Sequence, residues 1–156
     1  MTTENTTLHF EWAAPMATDI DRAMTSICIS SLSLHPPRAS RASNIGRLWD
    51  SLEAATGRGL SLAFFMPQSS KAHPATAFNE SAAARLHAIG ATVHTLPSAY
   101  LLHAKTVSID DAIAWVGSGN WTAAGSTHNR EAYLRAESSR IAARLRNHWY
   151  EELKKG

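Results

Sequence analysis

The sequence predicts an α/β domain, a mixed, mostly parallel sheet sandwiched between helices. Three observations carry this expectation. Strand-like and helix-like segments alternate through the first two thirds of the chain, the rhythm of strands joined by helical crossovers. Leu60 to Phe65 is an apolar run of the kind a strand buried on both faces requires. After Leu96 the rhythm changes: about six residues, Pro97 to Leu102, precede the next strand, and a parallel crossover needs about a dozen. The chain must therefore reverse there.

Taken in order, Met1 to Thr7 reads as a polar, disordered tail ahead of a single domain over residues 8–156. Pro15 opens a short helix with Met16, Ile20, Ala23 and Met24 on one face. Ile27 to Leu34 reads as a β-branched, alternating strand in which Ser30-Ser31 interrupt the apolar pattern. The run HPPRASRAS is a loop. Ser43 caps a helix carrying Ile45, Leu48, Trp49 and Leu52, and Gly57 and Gly59 end it. The Leu60–Phe65 strand leads to a helix with Ala82, Ala83, Leu86 and Ile89 that stops at Gly90, and Thr92 to Leu96 is the next strand. His103 to Ile109 is followed by a tight turn at Asp110-Asp111 and a returning strand, Ala112 to Val116. Glu131 to Ala136 is a further strand. Ser138 begins a closing helix with Ile141, Leu145, His148 and Trp149 on its buried stripe.

Composition narrows the class. Of 156 residues, 44% are hydrophobic and 18% charged, which excludes a disordered chain, a fibrous repeat and a coiled coil. No apolar run approaches the ~20 residues of a membrane helix, and MTTENTTLHF lacks the regions of a signal peptide. Stable membrane association is not expected. The single cysteine, Cys28, excludes an internal disulfide and a multi-cysteine zinc site and suits a reducing, cytoplasmic compartment. Net charge is only +2, but its distribution is uneven. No acid falls between Arg22 and Trp49, a stretch with four arginines counting Arg22, and none between Ser81 and Ile109. Such stretches suit a phosphate-bearing ligand.

The topology converges polar groups at one place. The hairpin returns Gly117-Ser118-Gly119-Asn120 to the side of His103, at the end where the parallel strands finish and where open α/β sheets bind ligands. Residues two apart on a strand share a face, so His103 and Lys105 project together. Asn120 brings amide donors, and the flanking glycines let backbone N–H groups come close to a ligand. A nucleophilic nitrogen, a fixed cation and neutral donors are what attack at phosphorus calls for. The loops carrying His35, Arg38 and Arg41, then Lys71 and His73, then Tyr100 leave from the same end. Arg38, Arg41 and Lys71 are candidates for phosphate contacts, and Tyr100 and His35 for contacts to nucleic acid.

The run His103-Ala-Lys105, four residues, Asp110, six residues, Gly117-Ser118-Gly119-Asn120 resembles the signature of the phospholipase D superfamily in residue type and spacing. Asn129-Arg130-Glu131 resembles the family's Asn-x-Glu element. One motif at this length is similar to the small bacterial endonucleases of the family, which pair two subunits around one site. Leu102 departs from the glutamine that some of them place before the histidine.

The resemblance implies a phospholipase D-like α/β/α sandwich and a nuclease acting on DNA or RNA. It also implies a homodimer in which His103 of one subunit attacks phosphorus and His103 of the other serves as acid and then base. Lys105 and Asn120 would clamp phosphoryl oxygens, Ser118 would add a hydrogen bond, and Glu131 would accept from the far nitrogen of His103. No metal or cofactor is implied, since paired lysines take the place metals hold in other nucleases. Asp110, roughly 17 Å down the strand from Lys105, is expected to serve structure, as a turn and ion-pair residue, and Gly117 is likewise expected to be a structural residue of the motif. The alternatives are a lipid phosphodiesterase, a nucleic-acid-binding or cleaving subunit that relies on a partner protein in a restriction or phage-defence assembly, and a pseudoenzyme.

Overall fold

A computed structural model describes residues 5–36, 43–96 and 101–155. In chain order the elements are β1 (Asn5–His9), α1 (Ala13–Arg22), β2 (Ser26–Ser30), α2 (Asn44–Gly57), β3 (Ser61–Pro67), α3 (Asn79–Ala88), β4 (Thr92–Leu96), β5 (Lys105–Ile109), β6 (Ile113–Gly117), β7 (Tyr133–Glu137) and α4 (Ser139–Leu153). The seven strands form one sheet in the order β1-β7-β6-β5-β2-β3-β4. The two faces carry separate cores. One packs α1, α2 and α3 around Met16, Ile29, Leu48, Phe64 and Trp115, and the other sets Trp149 of α4 against Cys28, Ala63, Phe65 and Leu102. The chain is thus an α/β/α sandwich.

The sheet is mixed, as expected, but it is not mostly parallel. Only β2–β3 and β3–β4 run parallel, whereas β1–β7, β7–β6, β6–β5 and β5–β2 are antiparallel. The reversal after Leu96 is real, since β5 runs against β2. The chain does not return beside β4, however. β5 instead lies on the far side of β2, and every later strand joins an antiparallel meander.

The expected disordered tail also needs correction. Asn5–His9 form an edge strand paired with β7, from Asn5 opposite Glu137 to His9 opposite Tyr133. Its side chains are largely exposed, so burial left no alternating pattern to read; backbone pairing with β7 and the packing of His9 on Trp115 hold it.

Elsewhere the local signals correspond to local causes. Ser43 Oγ accepts from the Gly46 N–H and Ser138 Oγ from the Ile141 N–H, each capping a helix. Gly90 follows α3 with φ +89°, a conformation that glycine adopts without strain. Met24 lies past the end of α1 and is exposed, and His148 faces outward on α4 rather than lying in its buried stripe. The predicted strand over Ile27–Leu34 ends at Ser30, where the chain peels off β3 and bridges from Leu34 to Trp121.

Candidate active site

The carboxyl ends of β2, β3, β4 and β6 lie at one end of the sheet, together with the start of β5. Ser30 of β2 pairs with Thr106, and Lys105 with Gly117. His103 stands two residues before β5 rather than on it, and is exposed. Lys105 is buried, and its ammonium folds back onto His103: Nζ lies 3.1 Å from Nδ1 and 3.5 Å from Nε2, and donates to the His103 carbonyl at 2.5 Å. Burial lowers the Lys105 pKa, with the Glu131 carboxylate opposing that shift. An ammonium can only donate, so the ring nitrogen it faces must carry a lone pair.

The segment after β6 is held from beneath. A Cβ on Gly117 would sit 2.3 Å from Tyr133 Cγ, and one on Gly119 2.9 Å from Trp12 Nε1, so neither position has room for a side chain. The Tyr133 hydroxyl donates to the Gly119 carbonyl at 2.5 Å. The Ser118 N–H donates to the Ala132 carbonyl, and the Ser118 hydroxyl to Glu131 Oε2 at 2.5 Å, while Asn129 Nδ2 donates to Glu131 Oε1 at 3.0 Å. Glu131 is therefore engaged by Ser118 and Asn129, not by His103 as expected. The Asn120 side-chain carbonyl is buried and has no hydrogen-bond partner among the described residues. Its neighbour Trp121 is pinned to the segment leaving β2, donating to Ser33 and accepting from the His35 N–H at 2.9 Å. His103, Lys105, Ser118, Asn120 and Glu131 thus belong to adjoining elements at one end of the sheet.

The family description "Cardiolipin synthase, PLD-like domain" matches residues 16–153. The chain belongs to this phospholipase D-like family. Among solved structures it is similar to Nuc, a phospholipase D family member from Salmonella typhimurium (21% identity, TM-score 0.77, covering 99% of this chain and 95% of that one). It is also similar to NucT from Helicobacter pylori (15%, 0.73, 97% and 96%) and to part of the polyphosphate kinase of Porphyromonas gingivalis (14%, 0.66, 96% and 26%). At these identities the likeness is one of fold. No curated protein matches by sequence.

In this phospholipase D-like domain, Asp110 lies at the opposite end of β5. It and Asp111 have φ of 54° and 51°, and the turn closes with the Ala112 N–H on the Ile109 carbonyl. Asp110 Oδ1 accepts from the Thr25 N–H (2.8 Å), the Thr25 hydroxyl (2.9 Å) and the Ser26 N–H (3.0 Å); Oδ2 accepts from the Met24 N–H (2.8 Å). Its contacts are hydrogen bonds to the α1–β2 turn rather than the ion pair expected of it. The ion pair of this turn belongs to Asp111, with Arg146 at 2.6 Å. Burial raises the Asp110 pKa, yet the bonds from Ser26, Met24 and Thr25 outweigh it and the net shift is downward.

Lys71 and His73 are exposed on the β3–α3 loop, and the His35 ring packs on Phe78 at the same end of the sheet. Arg38, Arg41 and Tyr100 lie outside the described residues. Among the described residues no group of three or more His, Cys, Asp or Glu side chains could hold a metal ion, and no helix is long and apolar enough to cross a membrane. Cys28 is buried, which pushes its thiol pKa up to about 12. Three residues that shape the site escaped the sequence reading: Trp12, Tyr133 and Gly125, whose added Cβ would lie 2.3 Å from the Asn120 carbonyl oxygen. The aromatic–glycine pairing is a signal that only spatial proximity reveals.

Proposed function

We propose that this chain is a phosphodiesterase that cleaves nucleic acid through a phosphohistidine, at a composite site built by two copies. The observation that carries the reading is the buried Lys105 ammonium held against the exposed His103 ring. Nothing in folding calls for an ammonium in that place, and a non-bridging phosphoryl oxygen, being anionic, is a better acceptor for it than a neutral ring nitrogen. A bound phosphodiester takes over the Lys105 donor and frees the imidazole lone pair. That nitrogen then forms a bond to phosphorus as the ester P–O bond breaks.

The leaving oxygen needs a proton, and the one imidazole that has become a nucleophile cannot supply it. His103 of a second copy gives that proton, then accepts one from the water that attacks phosphorus and breaks the P–N bond. Lys105 and Asn120 of both copies meet the developing charge, with backbone N–H groups of the Gly117–Asn120 segment beside them. Glu131 acts through Ser118 and as a counter-charge to Lys105. The reaction takes no metal, because fixed ammonium groups supply the positive charge. A cytoplasmic setting fits the reduced Cys28.

The test is cleavage of single- and double-stranded DNA and RNA in excess EDTA, beside His103→Ala. Cleavage that survives chelation and disappears in the variant supports the reading. Cleavage abolished by EDTA and restored by added metal ion refutes the metal-independent chemistry. Full activity per chain in a monomer at nanomolar concentration refutes the composite site.

A further inference from the structure

An aromatic pair stands next to this site with no part in either core. Asn79, buried at the start of α3, ties three segments together: its Oδ1 accepts the Leu34 N–H at 3.2 Å, and its Nδ2 donates to the carbonyls of Leu32 (3.0 Å) and Pro67 (3.2 Å). The preceding residue, Phe78, is thereby brought against His35, with ring centroids 4.5 Å apart and planes inclined at 58°. His35 is in turn fixed by its backbone to Trp121, the residue after Asn120. Phe78 belongs to neither buried cluster and is 42% exposed. The loop leading to it, residues 68–79, carries Lys71 and His73 and no acid.

We propose that Phe78, backed by His35, is a stacking platform for an unpaired nucleobase flanking the phosphate held at His103, Lys105 and Asn120, and that single-stranded nucleic acid is the substrate. The inference rests on the nucleic-acid reading above. The part of the ring left open beyond its contact with His35 is apolar surface in water; a base face covers it. Bases within a duplex already stack on one another, so only an unpaired base offers its face. A lysine-bearing loop leading to an aromatic ring suits single-strand binding, with the Lys71 ammonium on the backbone and the ring taking a base of any identity.

Binding is measured by fluorescence anisotropy with a short labelled single-stranded oligonucleotide, in the His103→Ala background so that it stays uncut. Phe78→Ala is expected to weaken binding by about 5- to 150-fold, the effect of losing one stacked base, while Phe78→Trp retains it. An oligonucleotide with one abasic position next to the bound phosphate should lose the same factor against the parent protein and nothing more against Phe78→Ala. Equal affinities of parent and Phe78→Ala, with native circular dichroism, overturn the platform and leave the nucleic-acid reading intact. No binding of any oligonucleotide by the parent overturns the nucleic-acid reading itself.

Discussion

Replacing Asp110 tests whether the motif's aspartate is structural. Its carboxylate takes four hydrogen bonds from residues 24–26, three on Oδ1 and one on Oδ2, and joins the β5–β6 turn to the α1–β2 turn across more than eighty residues of chain. Bonds to a charged acceptor contribute about 1.5–3 kcal/mol when buried. Here water can replace part of each, so about 0.5–1 kcal/mol apiece is the fair figure, or roughly 2–4 kcal/mol together. Alanine adds about 1 kcal/mol for the left-handed backbone at φ 54°. Urea unfolding of Asp110→Ala should therefore show a loss of about 3–5 kcal/mol. Asp110→Asn keeps the three bonds on one oxygen, tolerates the backbone, and turns its amide toward only the Met24 N–H; it should lose about 1–2 kcal/mol.

The dependence on pH has a definite sign. A carboxyl held below its unfolded value of 3.8 stabilises the fold above that pH, and the contribution is lost as pH falls through the lower folded value. The gap between the wild type and Asp110→Asn should close below about pH 4. A loss under 1 kcal/mol in Asp110→Ala would refute the capping argument. A hundred-fold fall in turnover by a fully folded Asp110→Asn would refute the claim that the residue is remote from the chemistry.

Four further outcomes are expected. Lys105→Met replaces a buried ammonium by a side chain of similar length, so it should cost little stability while lowering diester hydrolysis at least 100-fold; thermal melts beside activity check the pair. Because burial depresses the Lys105 pKa, its charged form opposes folding at neutral pH, and stability should rise as pH climbs from the lowered value toward 10.5, a rise missing in Lys105→Met. Gly117→Ala forces a Cβ to within 2.5 Å of the Ala132 carbonyl oxygen and should lose about 1–3 kcal/mol by chemical denaturation. Asp19→Asn weakens the buried group that holds both Arg135 (2.7 Å) and Trp115 Nε1 (2.9 Å), and should cost about 3–5 kcal/mol in the same measurement.

What could be read in the sequence is what depends on near neighbours. The caps at Ser43 and Ser138, the glycine after α3 and the reversal after Leu96 are set by a few residues each, and they stand where expected. Strand neighbours are different. Nothing near Lys105 says that β5 will cross β3 to lie against β2, so local sequence implies more parallel pairing than the sheet has. β1 gave no periodic signal because its side chains stay in water. The site behaves the same way. Spacing placed His103, Lys105, Ser118, Asn120 and Glu131 on adjoining elements, but spacing does not fix rotamers, and Glu131 chose Ser118 and Asn129 over His103. Likewise it marked Asp110 as structural without naming the turn that the carboxylate holds.

The tryptophans and tyrosine explain why a motif of small and polar residues can be rigid. Trp12 packs on Tyr133 with ring centroids 4.7 Å apart, donates Nε1–H to the Gly125 carbonyl at 3.0 Å, and fills the space that a side chain on Gly119 would need. Tyr133 lies under Gly117 and donates to Gly119. Both rings are buried, and both come from strand or helix ends that the sheet and α1 already fix. The Gly117–Asn120 segment thus rests on two large side chains, with the Tyr133 hydroxyl turned up into it and the Trp12 Nε1–H held by Gly125. Glycine is needed here for close approach, since no glycine of this segment has positive φ. A site that must meet charge as it develops on phosphorus has to hold its donors still beforehand. The backbone of this segment gains that stillness from aromatic packing distant in sequence, which is why the glycines and the rings make sense only together.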